Sequence, residues 1–304
     1  MEIKQVTKPV IGVMSPGDMG HAVAAAIGEK GHRVITVLAG RSGLSKERAA
    51  RSGMEDRPNL EILAQDADIV LSIMPPEKAL AFAEELAPPL KMSKKLLTFV
   101  DCNAISPDTT LAVQKIIEDV GATFINAGII GPPPGRGGVT KFYVSGSAED
   151  QLAFLAGDSI KFIPLGGNIT KASAIKMCYA ALTKGMMTLY TAALVTGELL
   201  GIGEELQTEY AGSQQFHWEA MNKRVPFYAA DADRWAGEMD QISETFAAVG
   251  MSPNLHIGAA DIFRLLEKSP LSAETRETLD KSRTLQQAVD IYTETVRSLS
   301  TGKN

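Results

Sequence analysis

Cysteine and histidine are scarce in this sequence, and neither forms a pattern typical of metal sites. The two cysteines, Cys102 and Cys178, lie far apart and lack CxxC spacing. A disulfide framework or a zinc site is therefore not expected, and a reducing compartment is favoured. The four histidines also lack metal-ligand spacing, so we expect no bound metal.

Positive charge is also in short supply. Lys and Arg number 30 against 36 Asp and Glu, which gives a formal net charge of -6, and there is no basic stripe. This balance argues against nucleic acid as the main partner. Long uncharged apolar runs are missing too, and the first five residues do not resemble a signal peptide. We therefore expect a cytoplasmic protein without a membrane partner.

Apolar residues make up 45% of the 304 residues, enough for two domains with separate cores. In the first half, short apolar segments alternate with helical patterns. This alternation is typical of a parallel sheet covered by helices on both faces, a doubly wound Rossmann-type α/β domain. The expected strands cover residues 10–14, 32–38, 68–74, 96–101, 123–126 and 141–145, and the expected helices cover 21–31, 44–52, 77–87 and 107–120.

The pattern changes after residue 167, where a long helical run extends from residue 169 to about residue 200. The run is apolar around most of its circumference, which predicts a buried helix, and further helices follow it. We predict a dinucleotide-binding domain over residues 1–166 and an all-helical domain for substrate and dimerisation over residues 167–304. One small helical domain cannot cover so much apolar surface, so we expect a homodimer.

The segment Ser15-Pro16-Gly17-Asp18-Met19-Gly20 follows the first predicted strand and leads into the first predicted helix. Strand, tight turn and helix N-terminus in this order are typical of a pyrophosphate-binding site. Gly17 would let the backbone approach the phosphates, and Gly20 would let the helix pack against the strand. Because Ser15 replaces the first glycine of the G-x-G-x-x-G motif, the prediction depends on the position of the turn in the chain. The predicted cofactor-binding residues here are Ser15, Gly17, Asp18, Met19 and Gly20.

The second predicted strand ends at Leu38-Ala39-Gly40-Arg41-Ser42 and lacks the acidic residue that binds the ribose 2′-hydroxyl of NAD. Arg41 instead offers a guanidinium group and Ser42 a hydroxyl, which suit a 2′-phosphate. We therefore expect NADP(H) as cofactor, with NAD(H) bound less well. The alternative is a solvated basic loop that enters a helix.

Several of these features occur together in a known family. The sequence resembles the β-hydroxyacid dehydrogenase family, which includes 3-hydroxyisobutyrate dehydrogenases and the related 6-phosphogluconate dehydrogenases. The resemblance implies hydride transfer between a nicotinamide cofactor and a hydroxy acid, with Met74, Pro75, Pro76 and Asn103 beside the cofactor. It is weaker beyond about residue 200. The segments that carry it are Gly17-Asp18-Met19-Gly20, Arg41-Ser42, Pro75-Pro76, Asp101-Cys102-Asn103-Ala104-Ile105-Ser106-Pro107 and Lys176.

Two substrate motifs of the family are altered in this sequence. In the motif Asp-x-Ser-Thr-x-x-Pro, Asn103 and Ala104 replace Ser and Thr, and only Asn103 can still form side-chain hydrogen bonds. The Ser-Gly-Gly motif, which helps hold the substrate carboxylate, becomes Ile130-Gly131-Pro132. The resemblance assigns Asn103, Ile130, Gly131 and Pro132 to substrate binding, while the substitutions favour a larger or less polar small molecule.

Lys176 lies in the long helix at the position of the family's catalytic lysine, which implies that it acts as general acid in carbonyl reduction. An apolar helix disfavours the charged form of a lysine, which suits proton transfer near neutral pH. The alternative is a surface lysine that extends into solvent. Tyr179 stands where the family places an orienting Asn, and Lys184 follows on the same helix face about two turns later. We include both among the candidate catalytic residues, beside Lys176 and Asn103.

The sequence therefore predicts an NADP(H)-dependent oxidoreductase that interconverts a hydroxy acid, or a related alcohol, and its carbonyl counterpart. An imine reductase on the same architecture is one alternative, although a lysine general acid suits carbonyl chemistry better. A protein that binds NADP without catalysis is the other alternative.

Overall fold

The computed structural model describes residues 8–301, and its first unit is built on one eight-stranded sheet. The strand order is β3-β2-β1-β4-β5-β6-β7-β8. All neighbouring strands are parallel except β6 and β7, which are antiparallel. The strands are β1 (Ile11–Met14), β2 (Val34–Val37), β3 (Glu55–Arg57), β4 (Ile69–Ser72), β5 (Thr98–Asp101), β6 (Thr123–Ile130), β7 (Thr140–Ser145) and β8 (Ile160–Pro164).

Eleven α-helices accompany these strands in the part of the chain that the structure describes. None of these helices combines the length and the hydropathy needed to cross a membrane. The helices are α1 (Asp18–Glu29), α2 (Gly43–Arg51), α3 (Leu60–Asp66), α4 (Ala79–Ser93), α5 (Pro107–Glu118), α6 (Lys171–Leu199), α7 (Gly203–Ser213), α8 (Gln215–Arg224), α9 (Ala232–Ala248), α10 (Asn254–Glu267) and α11 (Leu285–Thr301).

Both faces of the sheet are covered, which confirms the predicted doubly wound architecture. Successive residues of a strand point to opposite faces, and β1 follows this rule. Ile11 and Val13 belong to one apolar cluster with Ile27 of α1, whereas Met14 belongs to a second cluster with Phe82 of α4. Because each face packs against helices, the central strands are apolar along their whole length.

The sheet differs from the prediction in the direction of β7. The connection between β6 and β7 is the loop of residues 131–139. A parallel connection needs a crossover of about a dozen residues or more, and this loop is too short for one. The chain therefore reverses, and β7 runs antiparallel to β6 with β8 parallel to β7.

The chain folds into two compact units, one that ends at Met177 and one that begins at Cys178. The division falls inside α6, so about two turns of this helix belong to the unit with the sheet. The sequence places its boundary earlier, near Gly166. That residues before this boundary bind the cofactor and residues after it bind the substrate stays a prediction.

The second unit is helical throughout its described residues, as predicted. Its core lies where α9 packs against α10, with the rings of Trp235 and Phe263 5.4 Å apart between centroids. Tyr292 of α11 is buried and donates a hydrogen bond to the carbonyl of Val225 at 3.1 Å. These aromatic contacts hold the helices together without any strand.

Candidate active site

The strand order reverses at β1, which has β2 on one side and β4 on the other. In open α/β sheets, a crevice for ligands forms at such a reversal, outside the carboxyl ends of the strands. The turn of residues 15–17 leaves β1 at this edge and enters α1, whose N-terminal flanking residue is Gly17. The sequence places its predicted phosphate-binding turn at the same edge.

Two glycines of this turn have different surroundings. A side chain at Gly17 would meet nothing within 4 Å, so the space above its backbone is open. A side chain at Gly20 would clash with the carbonyl oxygen of Ser15, so α1 approaches the turn closely only because this residue is glycine. Ser15 also donates its backbone N–H to Ile73 at 2.9 Å, and Met19 packs on the apolar cluster beneath the turn.

Asp18, the first residue of α1, lies between two arginines. Its Oδ1 is 2.7 Å from Nη2 of Arg136 and 3.9 Å from Nη2 of Arg48. Arg48 is buried, whereas the Arg136 side chain is 41% exposed. The sequence did not single out Arg136, because its loop lies far from the turn along the chain.

A cavity of about 690 Å³ opens beside this turn, at the ends of β2 and β4. It brings together Arg41, Met74 and Pro75, three of the predicted cofactor-binding residues. The charged side chains at its edge have mixed sign, since Lys78 lies there with Glu61 and Glu85. None of these three was identified from the sequence, because no motif marks α3, α4 or the 3₁₀ turn that contains Lys78.

Arg41 and its neighbours differ in their contacts. Within residues 8–301, the Arg41 guanidinium has no hydrogen-bond or ion-pair partner. The Ser42 hydroxyl instead accepts a hydrogen bond from the N–H of Ser45 at 3.2 Å and caps α2. Pro76 is buried at the start of a short 3₁₀ turn. Arg41 is therefore an available cation at the end of β2, while Ser42 and Pro76 shape the backbone around it.

Asn103 lies between the ends of β4 and β5, and its side-chain amide is engaged on every side. Nδ2 donates to Ser72 Oγ at 2.9 Å and to the carboxylate of Asp101, and Oδ1 accepts from the N–H of Met74 at 2.8 Å. Asn103 is 3% exposed. These bonds fix Met74 at the cavity, and a direct contact of Asn103 with substrate stays a prediction.

The first turns of α6 are fixed on the sheet by buried contacts with β6. Asn126 donates to the carbonyl of Ile169 and to Ser173 Oγ, both at 2.8 Å. A side chain at Gly128 would clash with the carbonyl oxygen of Ala172, so only glycine allows this close approach. No role for these residues is predicted from the sequence, where the expected strand covers only residues 123–126. Together they set the position of Lys176.

The half-buried Lys176 reaches the carboxyl end of β6. Its Nζ donates a hydrogen bond to the carbonyl of Ile129 at 2.9 Å. Ile129 immediately precedes the Ile130-Gly131-Pro132 segment that the resemblance assigns to substrate binding. The structure therefore brings Lys176 and this segment together, although 47 positions separate Lys176 from Ile129.

The Ile130-Gly131-Pro132 segment is held in a defined conformation. Gly131 has a φ of 121°, and a side chain there would lie 2.7 Å from the carbonyl oxygen of Val139. The Pro132 carbonyl accepts a hydrogen bond from Thr140 Oγ1 at 2.6 Å. The nitrogen of Pro132 cannot donate a hydrogen bond, so this segment offers little to a carboxylate.

Tyr179 and Lys184 belong to the second unit. Tyr179 is 49% exposed. Lys184 is only 8% exposed and forms an ion pair with Glu238, which also accepts from Arg234 Nη1 at 3.0 Å. This buried pair favours a structural role for Lys184. Glu238 was missed because it follows Lys184 by 54 positions and no motif marks it.

The comparisons with known sequences agree with this geometry. The family model described as the NAD binding domain of 6-phosphogluconate dehydrogenase matches residues 10–154, and a domain of unknown function, DUF1932, matches residues 198–266. The match to the first model supports the resemblance to the β-hydroxyacid dehydrogenase family over the sheet unit. One relative is the mitochondrial 3-hydroxyisobutyrate dehydrogenase of Drosophila melanogaster, which is 25% identical over 194 residues, or 63% of this chain and 57% of that protein.

Solved structures extend the likeness to both parts of the fold. One is a conserved protein of unknown function, MTH1747, with reported structural similarity to 3-hydroxyacid dehydrogenases. It is 26% identical, has a TM-score of 0.60, and the match covers 85% of this chain and 96% of that one. An imine reductase from Streptomyces aurantiacus shares the fold at 18% identity and a TM-score of 0.53, with 90% and 98% coverage.

The sheet unit fits a nicotinamide dinucleotide. The open space at Gly17 lies at the N-terminus of α1, where a pyrophosphate is stabilised by backbone N–H groups and the helix dipole. The cavity at the ends of β2 and β4 has room for the adenosine half, with the Arg41 guanidinium at its edge. The donors present thus suit the pyrophosphate of a nicotinamide dinucleotide.

Proposed function

We propose that the protein is an NADP(H)-dependent oxidoreductase that interconverts a hydroxy acid, or a related alcohol, and its carbonyl counterpart. The observation that carries the proposal is the position of Lys176. Its Nζ is held at the carbonyl of Ile129, at the carboxyl edge of the sheet that also carries the phosphate-binding turn. A proton donor therefore lies in the unit that holds the cofactor.

The preference for NADP(H) over NAD(H) rests on Arg41. A guanidinium without a partner among residues 8–301 borders the cavity at the end of β2. A planar cation with several N–H donors suits a phosphate monoester better than a ribose hydroxyl. Glu61 and Glu85 also border the cavity, and their carboxylates repel a 2′-phosphate. The attraction between Arg41 and this phosphate therefore has to exceed that repulsion.

When bound, the nicotinamide would supply or accept the hydride. During reduction, Lys176 would donate a proton to the carbonyl oxygen of the substrate. During oxidation, it would accept the proton of the alcohol. A lysine ammonium group has three donors, so one can stay on Ile129 while another reaches the substrate. The hydrogen bond to Ile129 thereby orients the Lys176 amine and leaves its other N–H groups available for the reaction.

The substrate we favour is larger or less polar than a small hydroxy acid. Ile130 replaces the serine of the family motif, Pro132 replaces a glycine and removes its N–H donor, and the Pro132 carbonyl is already bonded to Thr140. The amide of Asn103 is engaged with Asp101, Ser72 and Met74. Few side-chain donors of these two motifs are therefore left for a substrate carboxylate.

Imine reduction is the second candidate, because an imine reductase shares the fold over 90% of this chain. The two reactions need different help from the protein. A carbonyl oxygen requires a proton as it becomes an alkoxide, whereas an iminium is already charged. Lys176 therefore favours the carbonyl reaction.

We also propose that the protein is a homodimer that uses α6. Tyr179, Leu182 and Leu189 are 49%, 68% and 59% exposed, and their spacing places them on one stripe of the helix. An exposed apolar stripe of this kind is typical of an interface. Light scattering at micromolar concentration should give the mass of a dimer, and a monomer would contradict the proposal.

The function is tested by following NADPH oxidation with a panel of aldehydes, ketones, keto acids and cyclic imines. We expect turnover with a carbonyl compound and a loss of turnover in Lys176→Met. Turnover confined to cyclic imines would support imine reduction instead. Tight NADPH binding without turnover on any member of the panel would support the NADP-binding protein that lacks catalysis.

A further inference from the structure

The loop of residues 131–139 places an arginine over the phosphate-binding turn. Arg136 lies in this loop, and its Nη2 is 2.7 Å from Oδ1 of Asp18, the first residue of α1. The loop follows β6, whose penultimate residue, Ile129, is bonded to Lys176. Arg136 therefore connects the strand end at the proposed proton donor to the strand end at the proposed cofactor phosphates.

The contact between Arg136 and Asp18 is an ion pair without an aligned hydrogen bond. Asp18 Oδ1 has no hydrogen-bond partner within residues 8–301. An arginine has five N–H donors in a planar fork. The attraction to Asp18 brings the guanidinium to the helix N-terminus, and its donors remain to be satisfied by another group.

The charges at this N-terminus need a second cation if an anion is to bind. A carboxylate at the first position of α1 stands where a phosphate would, and it repels one. Arg48 lies 3.9 Å from the same oxygen, but its side chain is only 11% exposed. Arg136 is 41% exposed and is the arginine of this cluster that faces solvent, where a ligand would arrive.

The loop that carries Arg136 is held at its base. Thr140 Oγ1 donates to the Pro132 carbonyl at 2.6 Å, the N–H of Arg136 donates to the Pro133 carbonyl at 3.2 Å, and Pro134 is buried. Three consecutive prolines have fixed φ angles. The base of the loop is therefore fixed as far as Pro134, and glycines at positions 135, 137 and 138 flank Arg136.

We propose that Arg136 binds the pyrophosphate of the dinucleotide and clamps the loop of residues 131–139 over it. This inference rests on the proposed cofactor. One edge of the guanidinium pairs with Asp18 while the other donates to a phosphate oxygen in a charge-assisted hydrogen bond. Arg136 thus recognises the part that NADP(H) and NAD(H) share, whereas Arg41 recognises the 2′-phosphate.

Two fragments of the cofactor separate these roles in a calorimetric binding experiment. ADP-ribose has the pyrophosphate but no 2′-phosphate, whereas adenosine 2′-monophosphate has the 2′-phosphate but no pyrophosphate. Arg136→Ala should weaken ADP-ribose binding roughly 10- to 100-fold, the value of one charge-assisted hydrogen bond, and leave adenosine 2′-monophosphate unchanged. Lys141→Ala is the matched control, because it removes a positive charge from an exposed position of the same hairpin and should change neither affinity.

A double variant distinguishes direct contact from neutralisation of Asp18. If Arg136 contacts the phosphate, Asp18→Asn with Arg136→Ala binds ADP-ribose more weakly than Asp18→Asn alone. Equal affinities would mean that Arg136 only offsets the carboxylate, and would overturn the proposal. Wild-type affinity in Arg136→Ala would overturn it too, provided that thermal unfolding shows a folded variant. A wild-type protein that binds neither fragment would instead overturn the proposed cofactor and this inference with it.

Discussion

The side-chain amide of Asn103 lies 2.5 Å from Oδ1 of Asp101, and this contact is enclosed at the carboxyl end of β5. The backbone N–H of Asn103 donates to the same oxygen at 3.1 Å, while Asp101 Oδ2 is buried and has no partner within residues 8–301. Burial raises the pKa of Asp101 to about 7, and the two hydrogen bonds from Asn103 act in the opposite direction.

Asp101 should therefore make stability depend on pH. Its pKa in the folded protein lies above the ordinary value of 3.8, so between these values the folded state binds more protons than the unfolded state. The contribution of Asp101 is fully present below about pH 4 and is lost as pH rises through about 7. Asp101→Asn removes the titration. In urea unfolding, the free energy of unfolding of this variant, measured relative to wild type, should therefore be higher at about pH 8 than at about pH 5. The exposed Asp158→Asn is the control; parallel curves for Asp101→Asn and wild type would contradict the prediction.

Lys184 and Glu238 form a buried ion pair in the second unit, and breaking it should destabilise that unit. Lys184→Met leaves the Glu238 carboxylate buried with Arg234 as its remaining partner, and we expect a loss of about 3–5 kcal/mol in the free energy of unfolding. Replacing both residues, as in Lys184→Met with Glu238→Leu, should recover much of the loss.

Urea unfolding measures these variants, and Lys115→Met is the matched control. Lys115 pairs with Asp119 on an exposed helix face, where such a pair contributes about 0.5 kcal/mol or less. If Lys184→Met were as stable as Lys115→Met, the ion pair would have no structural role. The catalytic hypothesis for Lys184 would then regain weight.

Arg41 should distinguish the two cofactors. Arg41→Ala should weaken NADPH binding by about 1.5–3 kcal/mol, the scale of a hydrogen bond to a charged group, and leave NADH binding nearly unchanged. Fluorescence titration with both cofactors measures this difference. Lys46→Ala removes an exposed positive charge from the following helix and should have a much smaller effect. Equal losses for NADPH and NADH in Arg41→Ala would refute the assignment.

The central strands could be predicted from the sequence, whereas the edges of the sheet could not. β1, β2 and β4 are buried on both faces, so they are continuous apolar runs. The edge strand β3 consists of Glu55, Asp56 and Arg57 and carries no apolar signal. The sequence predicts that β6 ends at Asn126, whereas the strand extends to Ile130. Gly128 lies in the extension, where α6 approaches the strand closely, a contact that only the tertiary structure reveals.

The candidate site also has a part that could be predicted from the sequence and a part that could not. Arg41, Met74 and Pro75 follow predicted strands, and parallel strands bring their carboxyl ends to one edge, so these residues meet at one cavity. The partners of the polar residues could not be predicted. Asn103 bonds to Ser72 across 31 positions, and Lys176 bonds to Ile129 across 47. Such pairs depend on register and helix packing, which local patterns do not specify.

The proposed role of Lys176 can be tested by its removal. Lys176→Met should leave NADPH affinity nearly intact, because the phosphates are expected at the turn of residues 15–17 and at Arg41. Turnover should decrease by roughly 10²–10⁴, the usual contribution of general acid–base catalysis. In the oxidation direction, the pH profile should also lose the limb that reports a deprotonated lysine. Steady-state kinetics with the best substrate of the panel provides both measurements.

Lys171→Met is the matched control for this variant. Lys171 begins the same helix, is exposed, and donates to the carbonyl of Leu165 at 2.9 Å, so its loss should leave turnover close to wild type. Full turnover in Lys176→Met together with an inactive Tyr179→Phe would move the proton donor one turn along α6. If Lys176→Met and Tyr179→Phe both stay active, the reaction takes no proton from these residues. That result would favour imine reduction, because a substrate that is already charged does not need the proton.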